Sequence, residues 1–261
     1  MQTGISLSMQ DLSRIVPQWD VPANVGAMVT TRLGGHSQPP YASLNLAAHV
    51  GDSMDSLQHN LAVLEESLPG SPSLQWLRQE HGSHIALIDS ACDPISADAL
   101  LTRTPGVACC VLTADCLPVL LASAQGDEVA IVHAGWRGMA AGIIEKTVHS
   151  MSSPPEQLHA WLGPAIGRCH FEVGEEVRRQ LLAGKENPAD LAACFISKGD
   201  NNKYMADLYG LARCKLHRLR LSAITGGDLC TYCDSERFFS YRRDGATGRM
   251  ASLIYIEEGI Q

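Results

Sequence analysis

What the chain lacks narrows it first. None of its 261 positions begins a run of about 18 apolar residues, so no transmembrane helix and no membrane partner are expected. Basic residues are in deficit: 20 Lys and Arg stand against 28 Asp and Glu, a net charge of -8. That excludes nucleic-acid binding through a broad basic surface, while leaving room for a small basic pocket. The opening stretch, MQTGISLSMQDLSRIVPQWD, has no basic segment followed by a continuous apolar one, so a cytoplasmic protein without a secretory signal is expected. There is no Pro/Gly/Ser-rich linker, repeat or low-complexity segment, and one domain spanning 1–261 is the expectation. The nine cysteines form no even disulfide framework and are expected to be thiols, mostly as small core residues.

What is present is ordinary in bulk, with 45% apolar and 18% charged residues, enough to bury a large core. Chemistry concentrates in two strings. TADCLP (113–118) follows the apolar run VACCVL (107–112), and HAGWRG (133–138) follows VAIV (129–132). Short apolar runs read as buried strands, so Cys116 and His133 are expected at adjacent strand ends. Further strands are expected at 25–31, 76–77, 85–88, from 118 to 122, and at 160–162, 238–241 and 252–256. Helices are expected over 57–68, with Asp52 and Ser53 as caps, and over 138–148, 175–182 and 206–219. Strands and helices mix without strict alternation, which indicates α+β or a mixed sheet.

A thiol and an imidazole so placed can form a metal site or a nucleophile–base pair. With His81 of QEHG, the trio His81, Cys116 and His133 supplies three zinc donors and leaves a fourth position open. Bound zinc lowers a water's pKa to roughly 7. The ligands are distant in sequence, so spacing alone decides nothing, and structural roles or an unmetallated Cys–His pair stand as alternatives. His84, beyond Gly82, reads as a surface or supporting residue. The isolated C-x-x-C of Cys230 and Cys233 reads as a reduced pair in a turn, with a redox or zinc role as the alternative.

Asp115 is either a general base beside the metal or an Asx turn. Arg137, after HAGW, and Arg32, after the first strand, are candidates to hold phosphate or to pair with structural carboxylates. In SYRRD (240–244), Tyr241 can stack on a planar base and Arg242 can join the phosphate site.

Taken in order, VTTRLGG (29–35), PYASLNLAAHVGD (40–52), EHG (80–82), TADCLPVL (113–120), HAGWRG, WLGPAIG (161–167), FEVG (171–174) and FFSYRRD…TGRMAS (238–252) resemble the YfiH family of bacterial proteins, once called laccase-like or polyphenol oxidases. The resemblance covers nearly the whole chain and is nearest, in length and termini, to the enterobacterial members. It departs at His36, where valine is expected, and at Cys233, where an acidic residue is expected. It implies a single-domain, four-layer α/β/β/α fold around a mixed β-sandwich. It implies zinc held by the positions matching His81, Cys116 and His133. It also implies phosphorolysis of adenosine, inosine, guanosine and methylthioadenosine, with adenosine deamination. Nucleoside and phosphate are then the partners, the protein is a monomer or homodimer, and Asn45 joins Arg32, Arg137, Tyr241 and Arg242 as a substrate-binding candidate. Two other functions remain. One is editing of a peptidoglycan precursor by a hydrolase with Cys116 as nucleophile and His133 as base. The other is a copper-dependent polyphenol oxidase. Against the latter, the ten histidines include no H-x-H pair, although imidazole and thiolate can bind copper in vitro.

Overall fold

The layering follows from the alternation of side chains along a few strands. The computed structural model describes residues 12–183, 188–199 and 202–259. In the strand Val107–Thr113, Val107, Cys109 and Val111 point into one apolar cluster while Ala108 and Cys110 point into another. In Val129–Ala134, Val129 and Ile131 enter that first cluster, and Ala130 and Val132 enter a third. Each strand is therefore buried on both faces, which is why its sequence is a continuous apolar run.

Two sheets share the middle cluster. One has five strands in the order Arg14–Ile15, Val25–Thr30, Met250–Ile256, Val107–Thr113 and Ser73–Gln75, antiparallel except for the last pair. The other has six: Ala223–Gly226, Leu158–Leu162, Leu117–Ser123, Val129–Ala134, Ala99–Thr102 and Ile85–Ile88, antiparallel in the centre and parallel at both edges. Val29, Val111 and Ile254 of the first meet Leu100, Leu120 and Ile131 of the second. Truncating Leu120 or Ile131 to alanine would cost about 2–5 kcal/mol.

Helices cover the outer faces. Met54–Glu66, capped by Ser53, lays Leu64 over Met28, Cys110 and Leu253 of the first sheet. Ile143–Ser150 and Leu208–Arg218 lay Ile144, Val148, Leu211 and Leu216 over Leu121, Ala130 and Leu158 of the second. The expected mixed four-layer sandwich is the observed architecture. Among the described residues, no helix is long and apolar enough to cross a membrane.

Three expected elements differ. The strand expected at 76–77 does not form as one piece: Trp76 lies outside any strand, between Ser73–Gln75 and Leu77–Arg78. The helix expected over 138–148 is two helices, Trp136–Ala140 and Ile143–Ser150, because Gly142 at φ 80° turns the backbone left-handed between them. The strand expected at 238–241 does not form. The Phe238 N–H donates to Asp234 O and the Phe239 N–H to Met250 Sδ, so both rings plug the inter-sheet core, and Tyr241–Asp244 is a helical turn.

Candidate metal centre

Three backbone events bring the ligand candidates together. Strand Val107–Thr113 of the first sheet ends at the TADC segment, and the chain crosses to start Leu117–Ser123 in the second. Asp115 takes φ 98° in that crossing, a positive value that non-glycine residues rarely adopt. Strand Val129–Ala134 pairs antiparallel with Leu117–Ser123, with Ala134 opposite Leu117. Continuing that register by one residue sets Cys116 across from Gly135. On its other side Val132 pairs with Ala99, and the His133 N–H donates to Asp98 O at 2.8 Å.

Asp98 then organises the third ligand. Its carboxylate, 1% exposed, accepts the backbone N–H groups of Glu80 (3.2 Å), His81 (2.9 Å) and Gly82 (2.6 Å). This closes the turn in which His81 sits at φ 58°. The same carboxylate accepts Nδ1–H of His133 at 2.8 Å, which fixes the ring and turns Nε2 toward Cys116. Two strained non-glycine residues thus flank one site, as is common where geometry serves chemistry.

The donor atoms of His81, Cys116 and His133 lie within 4.8 Å of one another, and the two imidazoles meet edge-on at 4.7 Å. Gly135 provides the space between them. A Cβ there would stand 3.1 Å from Cys116 Sγ, 3.2 Å from His81 Cδ2 and 3.8 Å from His133 Nε2. His133 is buried, Cys116 half-buried and His81 exposed, so the group is open on one side.

Its electrostatics suit a thiolate. Close packing opposes ionisation of Cys116. The charge on His133 and hydrogen bonds from His133 and His81 outweigh it and bring the thiol down to about 6. Burial likewise disfavours charge on His133, yet Cys116 and Asp98 raise the imidazole to about 9. Asp98 is held below the usual carboxylate range: burial opposes its charge, but His133 and the N–H groups of Gly82 and His81 prevail.

The trio opens into a cavity of about 930 Å³, large enough for a small-molecule ligand. One wall is apolar, from Leu46, Leu57, Trp76 and Leu112. Another carries Tyr241, which is 62% exposed, with Arg242 and Arg249, and Arg137 stands beside Trp136 at 4.4 Å. The ion pairs formed by arginines among the described residues use other guanidinium groups.

The remaining candidates are placed as follows. Asp115 lines the cavity, but Oδ1 accepts the Thr231 hydroxyl at 2.6 Å and Oδ2 the Arg242 N–H at 2.7 Å. Arg32 and Asn45 do not line it. Arg32 donates through Nε to Ala42 O and through Nη1 to Ser235 O, bracing the loop that closes under Phe239. Asn45 is fully buried: its Nδ2 donates to Ala47 O and Asp52 Oδ2, and its Oδ1 accepts the N–H groups of Ala47 and Arg249. His84 is exposed and bonds Ser96 O.

Sequence reasoning missed Asp98, Gly135, Thr113 and Arg249. A lone Asp between apolar runs (ISADALL) was a weak signal for a buried carboxylate. Thr113 opens the TADC string, where nothing in the spacing sets it apart. Its buried hydroxyl has no partner among the described residues, and the residue lines the cavity.

Comparison with known proteins agrees with this architecture. The family described as "Multi-copper polyphenol oxidoreductase laccase" matches residues 26–257. "Purine nucleoside phosphorylase YfiH" of Shigella flexneri is 50% identical over 247 residues, covering 93% of this chain and 98% of that one. The protein of the same name from Escherichia coli (strain K12) is 49% identical with the same coverage. A crystal structure of a Neisseria meningitidis protein superposes with a TM-score of 0.89 at 41% identity, covering 94% of this chain and all of that one. The chain belongs to this laccase-like family, which includes the YfiH proteins.

Proposed function

For this family member we propose zinc-dependent purine nucleoside phosphorolysis of adenosine, inosine, guanosine and methylthioadenosine, with deamination of adenosine as a second reaction. One juxtaposition carries the reading: His81, Cys116 and His133 converge in a cavity whose other wall offers Tyr241 and several guanidinium groups. The names of the Shigella and Escherichia relatives support it.

The trio suits a metal on three observations: a soft thiolate beside two imidazoles, a glycine leaving space among them, and a carboxylate fixing one ring. Copper accepts the same donors in vitro. Zinc held there supplies Lewis acidity and an activated oxygen nucleophile near neutral pH.

In phosphorolysis a phosphate oxygen bonds to ribose C1′ as the C1′–N9 bond breaks, and the departing purine takes up a proton. Arg137 and Arg242 hold phosphate through charge-assisted hydrogen bonds. In an acidic protein these cations also draw an anion to the site. Tyr241 stacks on the purine. Asp115 is a positioning residue: both oxygens are engaged, and they set the helical turn that carries Tyr241 and Arg242. Deamination exchanges the C6 amino group for water oxygen and releases ammonia.

A second reading rests on the lowered Cys116 thiol and raised His133 imidazole. Such a thiolate–imidazolium pair can serve as nucleophile and acid–base in a hydrolase acting on a peptidoglycan precursor. The variant Cys116→Ala tests the first. Loss of phosphorolysis together with loss of the zinc held by the trio is expected, and full turnover in that variant excludes the site. Metal-free wild-type protein that hydrolyses a precursor favours the second.

A further inference from the structure

On the far side of Asp115 the fold gathers a second set of soft donors. Cys169 and His170 lie in the loop after the strand Leu158–Leu162, and Cys230 and Cys233 in the loop after Ala223–Gly226. The two strands are parallel neighbours, and a bridge between Ala165 and Cys230 carries the pairing into the loops. One donor atom from each of Cys169, His170, Cys230 and Cys233 falls within 4.8 Å of all the others. We propose that these four residues bind a second zinc ion, with a structural role.

The geometry matches a four-coordinate site. Zn–S bonds of about 2.3 Å at tetrahedral angles put sulfurs about 3.8 Å apart, and a sulfur and a nitrogen about 3.6 Å apart. Cys169 Sγ and Cys233 Sγ are 3.8 Å apart, and Cys233 Sγ is 3.3 Å from His170 Nδ1. The sulfur pair is far beyond the roughly 2.05 Å of a disulfide. The donor set, three cysteines and a histidine, is one that structural zinc uses.

Two further features point to a thiolate and a fixed ring. The N–H groups of Gly167 and Cys233 donate to Cys230 Sγ at 3.2 and 3.4 Å, as a turn built around an anionic sulfur would arrange. The His170 ring stacks on Tyr232 at 3.9 Å with an interplanar angle of 14°, which holds Nδ1 toward the sulfurs.

The site would brace the cavity wall. Between Cys230 and Cys233, Thr231 bonds Asp115, and the carbonyls of Thr231 and Tyr232 accept from Arg243 Nη1 at 2.7 and 2.9 Å. The carbonyl of His170 accepts from Arg242 Nη1 at 3.3 Å. An ion joining the two loops therefore fixes the turn Tyr241–Asp244 from both sides without touching the cavity's own donor trio.

The test is zinc content per chain of the full-length protein, purified under reducing, zinc-replete conditions and dialysed against metal-free buffer. Wild type should hold two ions and Cys116→Ala one, a result independent of any catalytic reading. Cobalt bound to Cys116→Ala should show thiolate charge-transfer and tetrahedral ligand-field bands, absent from the same protein carrying Cys230→Ser and Cys233→Ser. If the triple variant fails to fold, the spectrum of Cys116→Ala alone still decides. A Cys116→Ala protein that retains no zinc, or whose cobalt spectrum lacks thiolate bands, overturns the proposal. So does a Cys169–Cys233 disulfide in reduced preparations.

Discussion

Replacing Asp98 by asparagine probes the support of the metal centre without touching a ligand. The carboxylate receives four hydrogen bonds in two pairs: His81 N–H and His133 Nδ1–H on Oδ1, Glu80 and Gly82 N–H on Oδ2. An asparagine offers one acceptor oxygen, and its NH2 must face one pair of donors. Whichever way the amide turns, about two charge-assisted bonds are lost, each worth about 1.5–3 kcal/mol. The apo protein should lose about 3–6 kcal/mol of stability. His133 also loses the anion that fixes its tautomer, and disturbing such a partner typically weakens metal affinity about 10–100-fold. Chelator competition on the folded variant measures the second effect, and denaturant unfolding of apo protein the first. Zinc affinity within threefold of wild type would refute the view that Asp98 orients His133 for the metal. Unchanged stability would refute the hydrogen-bond assignment.

Gly135→Ala should lose the zinc held by the trio while leaving the fold and the Cys169/His170/Cys230/Cys233 cluster intact, because the added methyl stands 3.1 Å from Cys116 Sγ and 3.2 Å from His81 Cδ2; metal content and circular dichroism check it, and a variant carrying as much zinc as wild type contradicts it. In metal-free protein, the Cys116 thiol brought down to about 6 should be thiolate above that pH and lose reactivity as pH falls through it. The alkylation rate at Cys116 should therefore be half-maximal near pH 6, and an inflection near 9 would remove the ion pair with His133. Tyr241→Ala should raise the nucleoside KM about fivefold, as loss of about 1 kcal/mol of stacking on an exposed ring implies, with phosphate KM unchanged. Arg137→Gln should do the reverse, raising phosphate KM about tenfold through one lost charge-assisted bond.

The parts of the site carried by continuous strings were legible in the sequence. Apolar runs ending in TADC and HAGW announced two buried strands, but those strands lie in different sheets: Val129–Ala134 pairs with Leu117–Ser123, the strand that follows TADC, and it is the crossing between sheets that brings Cys116 beside His133. The four-layer order came from family resemblance, since periodicity alone cannot say which faces of two-sided strands meet. The break at Gly142 was hidden because glycine inside a helical pattern is tolerated until its φ is known. Phe238 and Phe239 imitate a strand in composition, yet their backbone bonds go to a carbonyl and a thioether, and their rings fill the inter-sheet core. Asp98 gave only a weak signal for a different reason: its importance lies in four donors from distant segments, none marked by local spacing. The same holds for Cys169 and His170, which gain meaning only when a parallel strand pair brings them to Cys230 and Cys233.

Chromatography of the products of adenosine plus phosphate, on protein of determined metal content, tests the central claim most directly. Adenine and ribose-1-phosphate, with inosine from the deaminating reaction, should form in proportion to zinc bound at His81, Cys116 and His133. Fully zinc-loaded protein that forms none of these products would contradict the account.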